Sequence, residues 1–157
     1  MNKKIVTIMR GISGSGKSTV CGKLGLPKHT AIVSADYFFI KPDGNGKLKY
    51  KFDSDYISKA HSACLTDFLL HVQKGTDSII VDNTNSCLWE FENYELIAKE
   101  HGYDVQIVQI VVKTVEEIKV CIKRNVHKVP SDTIFRMALK FEPTPEGKNV
   151  RNFEFAL

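Results

Sequence analysis

Residues 11–19 carry the feature that most restricts the fold, a glycine-rich loop with the pattern G-x-x-x-x-G-K-S. The loop follows an apolar run, Ile5–Met9, which has the length and composition of a β-strand. A phosphate-binding loop must join the end of a strand to the start of a helix, because backbone N–H groups at the helix N-terminus hold the phosphates. The chain is therefore predicted to begin with a strand, a phosphate-binding loop (P-loop) and a helix.

Each fixed position of the loop has a chemical reason. Glycines permit backbone conformations that side chains would block and let phosphate oxygens approach the amides. Lys17 supplies a positive charge for the β- and γ-phosphates, and the Ser18 hydroxyl is a ligand for the Mg²⁺ that bridges them. The alternative is a glycine-rich turn with an accidental lysine. The residues predicted to bind ATP are Gly11, Ser13, Gly14, Ser15, Gly16, Lys17, Ser18 and Thr19.

Strand and helix patterns alternate along the rest of the chain. Val- and Ile-rich runs, typical of parallel strands buried on both faces, occur at 5–9, 31–34, 78–82 and 105–112. Helical patterns begin at 17 or 18 and cover about 54–74, 88–101, 115–125 and 131–140. This order predicts an α/β fold of three layers, a P-loop kinase fold, with a mostly parallel sheet of four to five strands and helices on both faces. One domain is expected over residues 1–157.

Two segments are predicted to be irregular. Residues 41–51 are rich in glycine and lysine and are expected to form a mobile loop, and residues 141–152 contain two prolines and a glycine. The tail 152–157 is predicted to add a short edge strand.

The bulk composition is that of an ordinary globular protein. The net charge of +4 permits a polyanionic partner without requiring one. The four cysteines stand apart, without a C-x-x-C pair, so a metal ribbon or a redox motif is not indicated and free thiols in a reducing cytoplasm are expected. No apolar run is long enough to cross a bilayer, so no membrane partner is expected.

Polar residues follow the predicted strands, at the edge of the sheet where ligands bind in α/β folds. Asp36 is a candidate general base, which a kinase needs beside the acceptor hydroxyl, although an aspartate there could also cap a helix. Asp82 ends the third predicted strand, where P-loop proteins place an acidic residue to orient Mg²⁺; a structural or substrate-orienting role is the alternative. Arg124 is a candidate lid residue, because a guanidinium forks onto phosphoryl oxygens.

Several local motifs agree with one family. They are RGISGSGKST at 10–19, SADYFF at 34–39, YKFDSDYISKAH at 50–61, IIVDNTN at 79–85, RNVHKVP at 124–130 and FEPTPEG at 141–147. In these motifs the chain resembles the P-loop polynucleotide 5′-hydroxyl kinases, which include the kinase half of the T-even phage end-healing enzyme. The resemblance implies that Lys17 and Ser18 hold ATP phosphates and Mg²⁺, that Asp36 is the general base and that Arg124 acts from a lid. It also implies 5′-hydroxyl ends of DNA or RNA as the substrate.

One position departs from the phage pattern. Where the phage enzyme has an arginine that helps to hold the acceptor phosphate, three residues after the catalytic aspartate, this chain has Phe39. Two other functions therefore stay open: a kinase of a small molecule or of a modified base in DNA, and a non-catalytic module that binds a nucleotide. DNA and RNA acceptors are not distinguished, and neither the adenine contacts nor the oligomeric state can be read from the sequence.

Overall fold

The computed structural model describes residues 3–156. Its strands are β1 (Ile5–Arg10), β2 (Ala31–Val33), β3 (Ile40–Pro42), β4 (Leu48–Tyr50), β5 (Ser78–Asp82), β6 (Asp104–Ile110) and β7 (Val150–Phe153). Its α-helices are α1 (Lys17–Lys23), α2 (Ile57–Lys74), α3 (Glu92–Glu100), α4 (Val115–Arg124) and α5 (Ser131–Leu139). Short 3₁₀ turns cover Ala35–Phe39, Ser54–Tyr56 and Leu88–Glu90.

Five strands form one parallel sheet in the order β2-β5-β1-β6-β7. The central strand β1 pairs with β5 from Ile5 opposite Ser78 and with β6 from Ile5 opposite Asp104. Parallel neighbours need crossover connections, and the helices supply them. Because all five strands run the same way, their carboxyl ends lie along one edge, and the P-loop leaves the middle of that edge.

Helices cover both faces of the sheet, as predicted. Along β1, Val6 and Ile8 face a cluster built with α2 and α3, whereas Met9 faces a second cluster with α1. This alternation follows from the two-residue period of a strand. A third cluster joins the P-loop residue Ile12 to α4 and α5. The three-layer α/β fold predicted from the sequence is confirmed.

Local signals set most helix boundaries. Thr114 and Glu117 form the predicted capping box at the start of α4, with the Glu117 N–H donating to Thr114 Oγ1 at 3.2 Å. Gly102, at φ 78°, follows α3 and allows the predicted stop. The helix predicted from residue 54 begins as a 3₁₀ turn, and α2 proper starts at Ile57.

Two predictions about irregular segments were wrong. Residues 41–51 were expected to be a mobile loop, but most of them form the antiparallel hairpin β3–β4, which residues 43–46 close. The hairpin forms because the Asp43 carboxylate accepts the N–H groups of Asn45 and Lys47 and so fixes the turn. The edge strand predicted at 152–157 lies at Val150–Phe153, parallel to β6; Leu157 lies outside the described residues.

The four cysteines are free thiols, as expected. Within residues 3–156, no helix combines the length and the apolar character that a bilayer crossing requires.

Candidate active site

The P-loop adopts a conformation that depends on its glycines. Gly14 and Gly16 have φ of 80° and 102°, in the left-handed region that favours glycine. A Cβ on Gly14 would lie 2.1 Å from the carbonyl oxygen of Cys121, so the loop packs directly on the backbone of α4. A Cβ on Gly11 would lie 2.6 Å from Ser15 Oγ. The loop therefore has no room for a side chain at Gly14, whereas at Gly11 the Ser15 side chain would have to move.

Lys17 lies at the start of α1 and turns back into the loop. Its Nζ donates hydrogen bonds to the carbonyl oxygens of Gly11 at 2.8 Å and Ile12 at 3.4 Å. Burial lowers the pKa of Lys17, and the negative charges of Asp82 and Asp36 offset part of that effect. The Lys17 ammonium group thus interacts electrostatically with Asp82 and Asp36, the two aspartates proposed from the sequence.

The remaining loop residues suit a nucleotide with Mg²⁺. Ser15 is buried, and its Oγ has no hydrogen-bond partner within residues 3–156, so the loop holds a polar group ready for a ligand. Ser13 is half-buried, while Ser18 and Thr19 are exposed in the first turn of α1. Mg²⁺ is usually held by few protein ligands together with phosphate oxygens and water, which fits Ser18 and Asp82 as its two candidate ligands. No cluster of three or more His, Cys, Asp or Glu within the described chain could hold a metal by itself.

Asp36 lies in the 3₁₀ turn that follows β2, and two elements hold it. Its N–H donates to Ser34 Oγ at 3.2 Å, so the capping role is taken by Ser34 and the Asp36 carboxylate is left for other partners. The Tyr50 hydroxyl, on β4, donates to Asp36 Oδ1 at 3.0 Å. His127, between α4 and α5, places Nε2 3.7 Å from Oδ2. The carboxylate therefore lies between the hairpin and the segment that follows α4.

Asp82 ends β5 beside the P-loop. Burial raises the pKa of its carboxyl group; Lys17 and His127 act in the opposite direction, and Asp36 adds to the increase. Lys17, Asp36 and His127 are thus all close enough to act on the carboxyl group of Asp82. The sheet produces this cluster because β1, β2 and β5 are neighbours and end at the same edge.

The asparagines after β5 shape the backbone around the site. Asn83 Oδ1 accepts the N–H of Ala35 at 2.8 Å, which ties the end of β5 to the turn that carries Asp36. Asn85, at φ 48°, donates from Nδ2 to the carbonyl of Met9 at 2.8 Å. The Gly11 N–H donates to the Thr84 carbonyl at 2.9 Å. The DNTN motif at 82–85 therefore holds in place both the P-loop and the turn that carries Asp36.

Arg124 lies at the end of α4 and is exposed. Its guanidinium lies 5.2 Å from the ring centre of Phe155, in the C-terminal segment. Within residues 3–156 it makes no hydrogen bond or ion pair, so the structure does not bring Arg124 together with Lys17 and Asp36.

Two residues of the site escaped the sequence analysis. Tyr50 lies in the segment taken for a loop, and only its place in the YKFD motif hinted at a role. Arg10 precedes the P-loop and is wholly buried. Its guanidinium donates to the carbonyl oxygens of Asn85, Ser86 and Glu142 and to Thr144 Oγ1, at 2.6–3.0 Å. Arg10 therefore fixes two loops at the carboxyl edge of the sheet, the one after β5 and the one after α5. A buried arginine cannot be recognised from its neighbours in sequence.

Phe39 is 3% exposed and packs with Tyr50 and Phe52 in the core. The ring at this position supports the hairpin and does not line the cleft.

A strand-ending P-loop, a buried lysine and two carboxylates on a five-stranded parallel sheet define a P-loop kinase-like α/β domain. The chain belongs to the family described as AAA domain, which matches residues 6–144.

Comparisons with known proteins agree with this class. The chain is 31% identical to NEDD4-binding protein 2 of Homo sapiens over 135 residues, which is 85% of this chain and 7% of that protein. Among solved structures, the Pnkp1/Rnl/Hen1 RNA repair complex matches with a TM-score of 0.66 and 20% identity, over 90% of this chain and 45% of the matched chain. A gluconokinase from Sinorhizobium meliloti 1021 matches with a TM-score of 0.61 and 15% identity, over 99% of this chain and 84% of that one.

These likenesses confirm the predicted resemblance to P-loop kinases at the level of family and fold. The two structural matches have low identity and establish the fold alone. The chain spans less than a tenth of the length of NEDD4-binding protein 2.

Proposed function

We propose that the protein is an ATP-dependent polynucleotide 5′-hydroxyl kinase, with Asp36 as its general base. The observation that carries the proposal is the cluster of Lys17, Asp82, Asp36 and His127 at the carboxyl edge of the sheet. The P-loop side of this cluster fits a nucleotide, and the Asp36 side opens toward the hairpin and the segment after α4.

Each residue of the cluster has its own role in the proposed reaction. Mg²⁺–ATP, held by the P-loop, Ser18 and Asp82, supplies the phosphoryl group and the counter-charge for its oxygens. Asp36 accepts the proton of the incoming hydroxyl through Oδ2, since Tyr50 already occupies Oδ1. Lys17, which feels the charge of both carboxylates, neutralises negative charge on the moving group.

Arg124 takes the lid role in this proposal. The segment after α4 already reaches the site, because His127 contacts Asp36 and lies 4.3 Å, between ring centres, from Tyr50. Arg124 begins that segment and is held only by the ring of Phe155 among the described residues. Release from the ring would free its guanidinium for the transferring phosphoryl group.

Two observations favour a nucleic-acid acceptor. One of the solved structures with the same fold is part of an RNA repair complex. The hairpin beside Asp36 is strongly basic, as expected for a surface that meets phosphates. The four free thiols also support a cytoplasmic location.

A second candidate is a kinase of a small molecule or of a modified base. It is favoured by the gluconokinase and sugar kinase structures, which share the fold over 97–99% of this chain, and by the burial of Phe39 where the phage enzyme has an arginine. A non-catalytic nucleotide-binding module is the third candidate, and the intact Lys17, Asp36 and Asp82 argue against it.

The test is a phosphoryl-transfer assay with [γ-³²P]ATP and Mg²⁺. Acceptors are 5′-hydroxyl DNA and RNA oligonucleotides, matched 5′-phosphorylated oligonucleotides as controls, and a panel of sugars and nucleosides. We expect label on 5′-hydroxyl strands only, and none with the Lys17→Ala variant. Transfer to a sugar or nucleoside alone supports the second candidate. ATP binding by calorimetry without transfer to any acceptor supports the third and defeats the kinase proposal.

A further inference from the structure

We infer that a strip of aromatic rings and lysines beside Asp36, formed by Phe38, Tyr56, Lys41 and Lys59, binds the nucleotides that follow the 5′ end of a single-stranded acceptor. We call these four residues the stacking strip. The inference rests on the proposed function. It identifies the surface that would bind the part of the substrate strand behind its 5′ end.

Three contacts connect the four side chains. The rings of Phe38 and Tyr56 are nearly parallel, at 30°, with centres 6.4 Å apart. Lys41 places Nζ 5.3 Å from the centre of Phe38, and Lys59 places Nζ 5.2 Å from the centre of Tyr56. Each ring is thus paired with an ammonium group, which is the combination that binds bases and phosphates of a single strand.

The strip is accessible. Tyr56 is 45% exposed, and Lys41 and Lys59 are exposed. Phe38 is half-buried and packs against the core with its remaining surface, which holds the ring in place. A ring that the core already holds in place costs little ordering entropy when a base stacks on it.

The surroundings carry the charge that a strand requires. The hairpin segment 41–51 contains four lysines and one aspartate, a net charge of +3 in a chain whose total is +4. The lysines of this segment are all exposed. Over the longer segment 41–59, which also contains Tyr56 and Lys59, five lysines and three aspartates leave a net charge of +2, complementary to a phosphate backbone.

The strip is rigidly connected to the proposed general base. Phe38 and Asp36 share one 3₁₀ turn, and the Lys51 N–H donates to the carbonyl of Phe39 at 2.8 Å, which fixes the hairpin to that turn. Tyr50, on the same hairpin, donates to Asp36. A strand whose 5′-hydroxyl meets Asp36 can thus continue onto the strip. The bases of a duplex are already stacked on one another, so the geometry favours a single strand.

The experiment measures strand binding separately from catalysis. Fluorescence anisotropy in the absence of ATP gives the Kd of the full chain for a labelled eight-nucleotide 5′-hydroxyl single strand and for the blunt duplex of the same sequence. We expect the Tyr56→Ala variant to raise the single-strand Kd about tenfold, in the range of one lost base–ring stack, and Tyr56→Phe to bind like wild type. The double variant Lys41→Ala/Lys59→Ala should reduce the slope of log Kd against log salt by about 1.4.

Matched controls are Trp89→Ala, which removes an aromatic ring that is 71% exposed, and Lys74→Ala, which removes an exposed lysine at the end of α2. Both should bind as wild type, and thermal melts should show that every variant folds. In the transfer assay, Tyr56→Ala should raise KM for the oligonucleotide and leave kcat and KM for ATP unchanged.

The outcomes separate the two proposals. If wild type phosphorylates oligonucleotides but Tyr56→Ala and the lysine double variant bind the strand as wild type does, the stacking-strip proposal is wrong. The kinase proposal is then unaffected. Equal affinity for duplex and single strand also overturns the stacking-strip proposal. If both variants bind the strand more weakly but wild type transfers phosphate to no strand, the stacking-strip proposal is supported and the polynucleotide kinase proposal is wrong.

Discussion

The hydroxyl group of Tyr50 donates a hydrogen bond to Asp36 Oδ1 at 3.0 Å, and His127 Nε2 lies 3.7 Å from the other oxygen of the same carboxylate. The bond fixes the rotation of the carboxylate and leaves Oδ2 directed toward the segment after α4. Burial, together with the negative charge of Asp36 and the bond to it, raises the pKa of Tyr50. Tyr50 therefore stays protonated and remains a donor throughout the physiological pH range.

Replacing Asp36 by Asn should lower kcat for phosphoryl transfer by about 10²–10⁴, because the amide cannot accept the hydroxyl proton. ATP binding should stay close to that of wild type, since Lys17 and the P-loop are untouched. Single-turnover transfer and calorimetric ATP titration measure the two effects. Wild-type kcat in the Asp36→Asn variant would exclude Asp36 as the base.

Replacing Tyr50 by Phe removes the hydrogen bond and keeps the ring that packs on Phe39. We expect kcat to fall about tenfold, as for one lost hydrogen bond to a charged group, with KM for ATP and the melting temperature nearly unchanged. Steady-state kinetics at saturating acceptor measures it. A large loss of stability in place of the loss of kcat would show that Tyr50 serves the fold only.

Replacing Asp82 by Asn should stabilise the protein at pH 7 while impairing Mg²⁺-dependent transfer. Burial raises the pKa of Asp82, so the folded state disfavours its charge. The cost is absent below the unfolded pKa of 3.8, grows as pH rises above that value and is complete above the raised folded pKa. The melting temperature of the variant should therefore exceed that of wild type at pH 7, and the two should converge in acid. A lower melting temperature for the Asp82→Asn variant than for wild type at pH 7 would contradict the direction of the shift.

Replacing Arg10 by Met should destabilise the fold by about 3–5 kcal/mol, because three loop carbonyls lose their common donor in a buried site. Lys should rescue little, since an ammonium cannot form the same planar fork. Burial lowers the pKa of Arg10 to about 10, so the side chain remains charged at neutral pH. Urea unfolding of both variants measures the loss in free energy of unfolding. Wild-type stability of Arg10→Lys would show that the planar guanidinium is not required.

Replacing Gly14 by Ala should destabilise the protein and abolish ATP binding. The new Cβ would meet the Cys121 carbonyl oxygen at 2.1 Å, and φ is 80°. Gly22→Ala is the matched control, because open space surrounds that position inside α1 and alanine is the better helix former by about 0.5–1 kcal/mol. Calorimetry should show loss of ATP binding, and thermal melts a lower melting temperature, for Gly14→Ala and not for Gly22→Ala. If the two variants bind ATP and melt alike, the loop can move away from α4.

Much of the fold could be predicted from the sequence because it follows from local patterns. The buried strands appeared as runs of Val and Ile, and the capping box at Thr114 marked the start of α4. The hairpin was missed because short exposed strands rich in lysine lack a hydrophobic alternation. The edge strand was predicted to start two residues late and to end four residues late, since the position of an edge strand is set by its pairing with β6.

For the site, the P-loop and the aspartates at 36 and 82 could be proposed from the sequence, because their residue types and their positions after strands are themselves the signal. Nothing in the sequence linked Tyr50 to Asp36, Arg10 to Glu142, or Gly14 to Cys121. Those contacts join residues 14 to 132 positions apart and exist only when the sheet order places the strand ends side by side.

The sequence by itself determined the donor half of the site, because a P-loop is a local structure whose chemistry lies in nine consecutive residues. The tertiary structure alone decided the surroundings of Asp36, since its neighbours come from a hairpin and from the segment after α4. It also moved Phe39 into the core and gathered rings and lysines beside the carboxylate. An acceptor site is a surface between elements, so its composition follows from packing and not from any single motif.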